Sequence, residues 1–273
     1  MSSAPASAAR IVVALDAPSL DDLAIEIARE VASAPTFELL GLFVEDQWLL
    51  EHAKSPLARE IVMSGLERPL EASRLERQLR AQATQARSRF EAAAIQAGVR
   101  HGFQIARGDL VDELLRAAAN AEAIVVALTR SERRRGASLG ALARVGLHAL
   151  LFARESWLTG RGILAVVEAS GGARESLRVA ARLAERTRSP LRLLPTTEAH
   201  ADESALAQIE ELRGRGLAVQ LLPPSRRLTP ETIARSALDA RLLIVPSGSA
   251  ERDADLVEQL LENTRAALLL IRD

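Results

Sequence analysis

Two acidic residues stand where short apolar runs end. Ile11-Val12-Val13-Ala14-Leu15 stops on Asp16, and Ile163-Leu164-Ala165-Val166-Val167 stops on Glu168. A carboxylate at the end of a buried strand is placed either to accept hydrogen bonds from a ligand or to hold a turn. A third feature is basic: Thr129-Arg130-Ser131-Glu132-Arg133-Arg134-Arg135-Gly136-Ala137-Ser138-Leu139-Gly140. Guanidinium groups match phosphate oxygens in pairs, and glycine lets backbone N–H groups approach an anion. This segment therefore reads as an anion or nucleotide site through Arg130, Arg133, Arg134 and Arg135, or else as a solvated charged loop. Ser138 adds a hydroxyl, as a ligand contact or as a helix cap.

Other chemistries have less to stand on. Glu45, Asp46 and His52 are metal-ligand types, but they form no recurring ligand pattern. The histidines at 52, 101, 148 and 200 are scattered, and no Ser-His-acid arrangement is legible. The chain has no cysteine, which removes disulfides, thiol catalysis and cysteine metal sites together. No catalytic residue is assigned, so the expectation is a protein that is not an enzyme and requires no cofactor. Arg107-Gly108-Asp109 spells an adhesion tripeptide, yet a turn glycine before a helix-capping Asp explains it locally. Gly171-Gly172 reads as a tight turn. A net charge of -1 gives no general attraction to nucleic acid or to acidic membranes. No apolar stretch reaches the length of a membrane span. Residues 1–9 read as a flexible tail without the apolar region of a secretory signal, so a cytoplasmic location is expected.

The elements that would position these groups alternate. In the first half, apolar runs at Ile11–Leu15, Phe37–Val44, Val99–Ile105, Ala123–Leu128 and Leu147–Phe152 read as strands, with a helix at Asp109–Ala119 among the intervening segments. In the second half the strands are Ile163–Val167, Leu191–Leu194, Leu217–Leu222, Leu242–Val245 and Ala267–Ile271. Helices are expected near 174–188, 203–213, 230–238 and 255–262, the third opened by Thr229 as cap and Pro230 in the first turn. Strands alternating with helices imply a parallel sheet covered on both faces. At 273 residues with 48% hydrophobic composition, two domains of ordinary size can each bury a core. The plan appears twice, so the chain is read as a first domain at 10–155 and a shortened second domain at 161–273.

The halves differ at an insert, 45–70, which carries Trp48, Leu49, Leu50, Leu57, Ile61, Val62, Met63 and Leu66. It is followed by an amphipathic helix at Glu71–Ala97 that presents Leu75, Leu79, Ala83, Ala86, Phe90 and Ala93 on one stripe. An apolar insert is expected to pack within the chain or to form a contact with a partner protein or a second copy.

Arg107–Val126 resembles the third-helix and fourth-strand segment of the universal stress protein family. Ile11–Asp16 is similar to that family's first strand, and Leu256–Ile271 to its last helix and strand. The resemblance covers nearly the whole chain as two copies. It implies an α/β fold of two tandem open five-stranded parallel sheets, order 3-2-1-4-5, with helices on both faces. It also implies a stress-response or regulatory role. Family members that bind ATP use the first-strand Asp near the base and ribose, and a glycine-rich loop after the fourth strand for phosphates. Carried over, this gives a first-domain nucleotide or anion site of Asp16, Ala17, Val44, Arg130, Gly136, Ser138 and Gly140, with ATP or AMP as ligand. The loop departs from the family pattern: Gly136 and Gly140 are one residue too far apart and no Gly-Ser/Thr pair follows. The second domain has Glu168 for the Asp and acids in Ser247–Asp253. Three readings result: a regulatory module with a remodelled or lost nucleotide site, an adenine-nucleotide binder through the first domain, and a partner-binding scaffold using residues 48–66. Single-domain relatives commonly pair through their last strands, so Leu147–Phe152 and Ala267–Ile271 are expected to meet in a pseudo-dimeric monomer, with a homodimer through the insert as the alternative.

Overall fold

A computed structural model describes residues 9–15, 28, 37–61, 67–127, 136–154, 156–168, 172–200, 203–226 and 228–272. In chain order the first half contains β1 (Ala9–Ala14), β2 (Phe37–Asp46), α1 (Gln47–His52), β3 (Arg59–Ile61), β4 (Glu67–Pro69) and α2 (Ala72–Gln96). It continues through β5 (Arg100–Gly108), α3 (Leu110–Ala118), β6 (Ala123–Ala127), α4 (Gly136–Ala143) and β7 (Ala149–Ala153). After a short α5 (Ser156–Thr159), the second half has β8 (Ile163–Val167), α6 (Gly172–Thr187), β9 (Leu191–Pro195), α7 (Thr197–His200) and α8 (Glu203–Gly214). It ends with β10 (Val219–Leu221), α9 (Pro230–Ser236), β11 (Leu242–Pro246), α10 (Ala250–Asn263) and β12 (Ala267–Ile271).

Among the described residues, ten strands form one sheet, in the order β10-β9-β8-β11-β12-β7-β6-β1-β2-β5. Each half taken alone runs third, second, first, fourth, fifth, with parallel neighbours throughout. The two expected five-stranded sheets meet, as expected, through their last strands. β7 and β12 pair antiparallel, from Leu268 opposite Phe152 to Ile271 opposite Ala149, and join the halves into a single sheet. Each fifth strand would otherwise present a row of unpaired N–H and C=O groups, and the pairing satisfies both rows at once. The small hairpin of β3 and β4 stands outside this sheet.

The strands nearest this join are buried along their whole length, which is why their sequences read as continuous apolar runs. One face of the sheet packs with α2, α6 and α8 through Phe90, Leu183 and Ile209, among others. The other face packs with α3, α4, α9 and α10 through Leu114, Leu142, Ile233 and Leu260. Both clusters run continuously across the join, so the halves share one layered core.

Local signals set most helix ends. Asp109 caps α3 by accepting from Val111 N at 2.8 Å, and Thr229 caps α9 ahead of Pro230. Gly98, at φ +66°, ends α2 in the left-handed conformation that a side chain resists. The insert forms α1 and the β3–β4 hairpin. Its Leu50 and Ala53 bury against Leu75 and Leu79 of α2, which answers the packing expectation for these residues. Trp48 remains 64% exposed and Leu57 85% exposed.

The segment between the halves is fastened rather than free. Arg154 is buried and donates through Nη2 to Leu261 O at 2.5 Å and through Nη1 to Thr264 O, closing the carboxyl end of α10. Trp157, 2% exposed, lies under the Arg241 guanidinium at 4.8 Å, and that guanidinium donates to Trp157 O at 2.6 Å.

Candidate functional site

In an open parallel sheet a ligand crevice forms beyond the carboxyl ends of the two strands from which the connections diverge. Here those pairs are β1 with β6 and β8 with β11. Of the residues assigned to the first-half crevice, Asp16, Ala17 and Arg130 lie outside the described residues. Val44 is half-buried on β2, paired with Ala106 of β5. Gly136, Ser138 and Gly140 were expected in a loop, but they fall within α4. Gly140 is buried where α4 crosses α10: a Cβ there would stand 2.5 Å from Glu258 Oε1 and 2.7 Å from Ala254 O. Its missing side chain thus lets two helices approach, a packing role that phosphate chemistry need not explain.

At the second-half crevice β8, β11 and α10 are described, and side chains following β8 and at the start of α10 meet across it. Glu168 follows β8; its Oε1 accepts from Arg252 Nη2 at 2.5 Å and its Oε2 from Nη1 at 3.5 Å. Arg252 stands in the first turn of α10, so the pair ties the carboxyl ends of β8 and β11 together. The hydrogen bond to Glu168 raises the Arg252 pKa above its usual value, opposed by burial and aided by the charges of Glu168 and Asp253. The same guanidinium lies over the loop glycine: a Cβ on Gly248 would be 3.0 Å from Arg252 Nη1.

Beneath it sits Asp253, with no exposed surface. Its Oδ1 accepts from Gly248 N at 2.8 Å, and its Oδ2 accepts from Ser247 Oγ at 2.5 Å. Arg272, which follows β12, donates from Nε to Ser247 Oγ at 3.1 Å and holds Nη2 3.7 Å from Asp253 Oδ2. Ser249 caps α10, accepting from Arg252 N at 3.4 Å. The sequence puts Ser247–Asp253 in a loop with a helix near 255–262; α10 instead starts at Ala250. The Ser249 cap was the available signal. Nothing in the sequence paired Glu168 with Arg252, or Asp253 with Arg272.

The remaining candidates are internally satisfied. Glu45 is buried and accepts from Arg107 Nη2 at 2.7 Å and Nε at 3.0 Å. That hydrogen bond, with the charge of Glu45, raises the Arg107 pKa. Asp46 caps α1 through Leu49 N at 3.0 Å, and His52 stacks on Trp48 with ring centroids 3.7 Å apart. Among the described residues, no group of three or more His, Asp or Glu side chains is arranged to hold a metal ion. No described helix is long and apolar enough to cross a membrane.

Solved structures align with nearly the whole chain. A universal stress protein from Archaeoglobus fulgidus DSM 4304 matches at 18% identity and a TM-score of 0.61, covering 96% of both chains. A candidate universal stress protein from Pseudomonas aeruginosa UCBPP-PA14 matches at 17% identity and a TM-score of 0.56, covering 97% of this chain and 94% of that one. The fold is that of the universal stress proteins. A functionally unknown protein from Pseudomonas aeruginosa PAO1 follows at 16% identity and 0.52, covering 97% of this chain and 93% of that one. No protein-family model matches the sequence, and no curated protein matches it. At these identities the universal stress protein likeness establishes architecture alone.

Proposed function

We propose that this chain is a non-enzymatic regulatory protein of the universal stress protein type, acting in stress response, with its nucleotide site remodelled or lost. The observation that carries the reading is the self-filled second-half crevice. Where a ligand would meet the acidic strand end and the loop N–H groups, Glu168 is engaged by Arg252 and Gly248 N by Asp253. The repeated strand order supports a tandem origin, with domains at 10–155 and 161–273, of which the second takes no nucleotide. Any ATP or AMP contact then belongs to the first domain, through Asp16 and the basic loop beginning at Arg130. The protein works in the cytoplasm, away from nucleic acid and membrane. Its test is ATP turnover by the full chain, read as phosphate release. Release at the buffer rate is expected; sustained release that Asp16→Ala abolishes would overturn the non-enzymatic reading and favour a nucleotide-using first domain.

A second reading adds a partner. Trp48 and Leu57 are large apolar side chains left exposed on an insert whose Leu49, Leu50, Ala53 and Leu70 pack onto α2. They support the insert as a contact surface for a partner protein or a second copy.

A further inference from the structure

We propose that the consecutive side chains Arg252 and Asp253 form an internal ligand for the second-half crevice, with Asp253 occupying an oxyanion position that the β11–α10 loop retains. The inference rests on the reading that this half takes no nucleotide, and it adds what fills the site instead. Three donor groups converge on or beside one buried carboxylate: Gly248 N at 2.8 Å, Ser247 Oγ at 2.5 Å, and Arg272, which lies 3.7 Å away and also donates to Ser247 Oγ at 3.1 Å. A backbone N–H, a hydroxyl and a guanidinium are the groups that bind a phosphate or carboxylate ligand. The carboxylate that meets them comes from α10 itself, at the helix end where the dipole favours negative charge. One residue earlier, Arg252 offers its guanidinium edge to Glu168, as a ligand's donor groups would at an acidic strand end.

Because Asp253 has no exposed surface, a solvent ion cannot share the position while its side chain is present. Removing the side chain leaves the donors facing a vacancy of carboxylate size. The structure thus assigns to this loop a latent affinity for small oxyanions, occupied in the native chain by its own residue.

The test uses the full chain and two probes, sodium formate and inorganic phosphate, each against sodium chloride at matched ionic strength. Asp253→Ala is expected to lower the melting temperature by about 5–10 °C, the scale of breaking a buried charge network in a chain of this size. Formate at about 100 mM should restore at least half of that loss, as a ligand binding only the folded state must. Wild type and Asp253→Asn, whose position is filled, should not respond beyond chloride. An Asp253→Ala protein with native far-ultraviolet dichroism that ignores both anions would overturn the proposal, as would an equal response in wild type. Should Asp253→Ala not fold, the cycle of Asp253→Asn with Arg272→Met decides. Losses smaller together than their sum support a charge held in place by Arg272, and additive losses overturn it. None of these outcomes depends on nucleotide, so failure here leaves the reading of function standing. Two nucleotides bound per wild-type chain would instead sink that reading.

Discussion

Glu168 and Arg252, 84 residues apart in sequence, meet with Oε1 and Nη2 separated by 2.5 Å across the point where the connections of the second half diverge. The pair closes the crevice more than it stabilises the fold. The Arg252 side chain is 49% exposed, and exposed ion pairs contribute at most about 1 kcal/mol. Glu168→Gln is therefore expected to cost less than about 1 kcal/mol in urea unfolding, with the difference from wild type shrinking as salt is raised.

Arg154 is the opposite case, a buried cation with helix carbonyls as partners. Arg154→Met keeps the volume but leaves Leu261 O and Thr264 O without these donors. A loss of about 2–4 kcal/mol is expected from two buried acceptors left unsatisfied. Equilibrium denaturation checks it, and an unchanged midpoint would show that α10 ends soundly without the arginine.

Gly140 is expected to act through packing. Gly140→Ala places a methyl group against the backbone oxygen of Ala254, which cannot rotate away, as well as against Glu258 Oε1. The predicted cost is about 1–3 kcal/mol of stability, the range for overpacking, with no effect on phosphate binding. Thermal melts in the presence and absence of phosphate separate the two roles.

Glu175, 4.0 Å from His148 at the join of the halves, makes stability there depend on pH. Its hydrogen bond from Arg178 lowers its pKa below the usual 4.5; burial opposes this, and the charges of Arg178, His148 and Arg182 assist. A depressed carboxylate contributes stability above its unfolded value, and this contribution is lost as the pH falls through the folded one. Wild type should exceed Glu175→Gln in melting temperature at pH 6–7, and the gap should close as the pH falls below about 4.5. A gap that stays constant down to pH 3 would contradict the assignment.

The insert predicts a size measurement. If Trp48 and Leu57 form a contact between copies, replacing both with serine lowers the sedimentation-derived mass, while the core contacts of Leu50 with Leu75 and Leu79 hold the fold. An unchanged mass removes the homodimer and leaves a different protein as partner.

The strands were legible because burial on both faces writes itself as unbroken apolar sequence, as in Ile163–Val167 and Ala267–Ile271. That β7 and β12 meet was legible from two apolar edges needing cover, while their antiparallel direction comes from the structure. The helix α4 was not legible: arginines and glycines around Gly136 look like a loop, and the reason for Gly140 lies in Ala254 and Glu258, more than a hundred residues on. The self-filled crevice was equally hidden. Acids in Ser247–Asp253 oppose phosphate on sequence alone, but that Asp253 turns inward to the loop's own donors is a tertiary fact. Asp16 and Arg130, on which a first-half site would depend, lie outside the described residues.

The proposed loss of a working nucleotide site in both halves is decided by calorimetric titration of the full chain with ATP, ADP and AMP. Heats no larger than dilution are expected at micromolar protein. Saturable micromolar binding would contradict it, and its disappearance in Asp16→Ala would locate the surviving site in the first half.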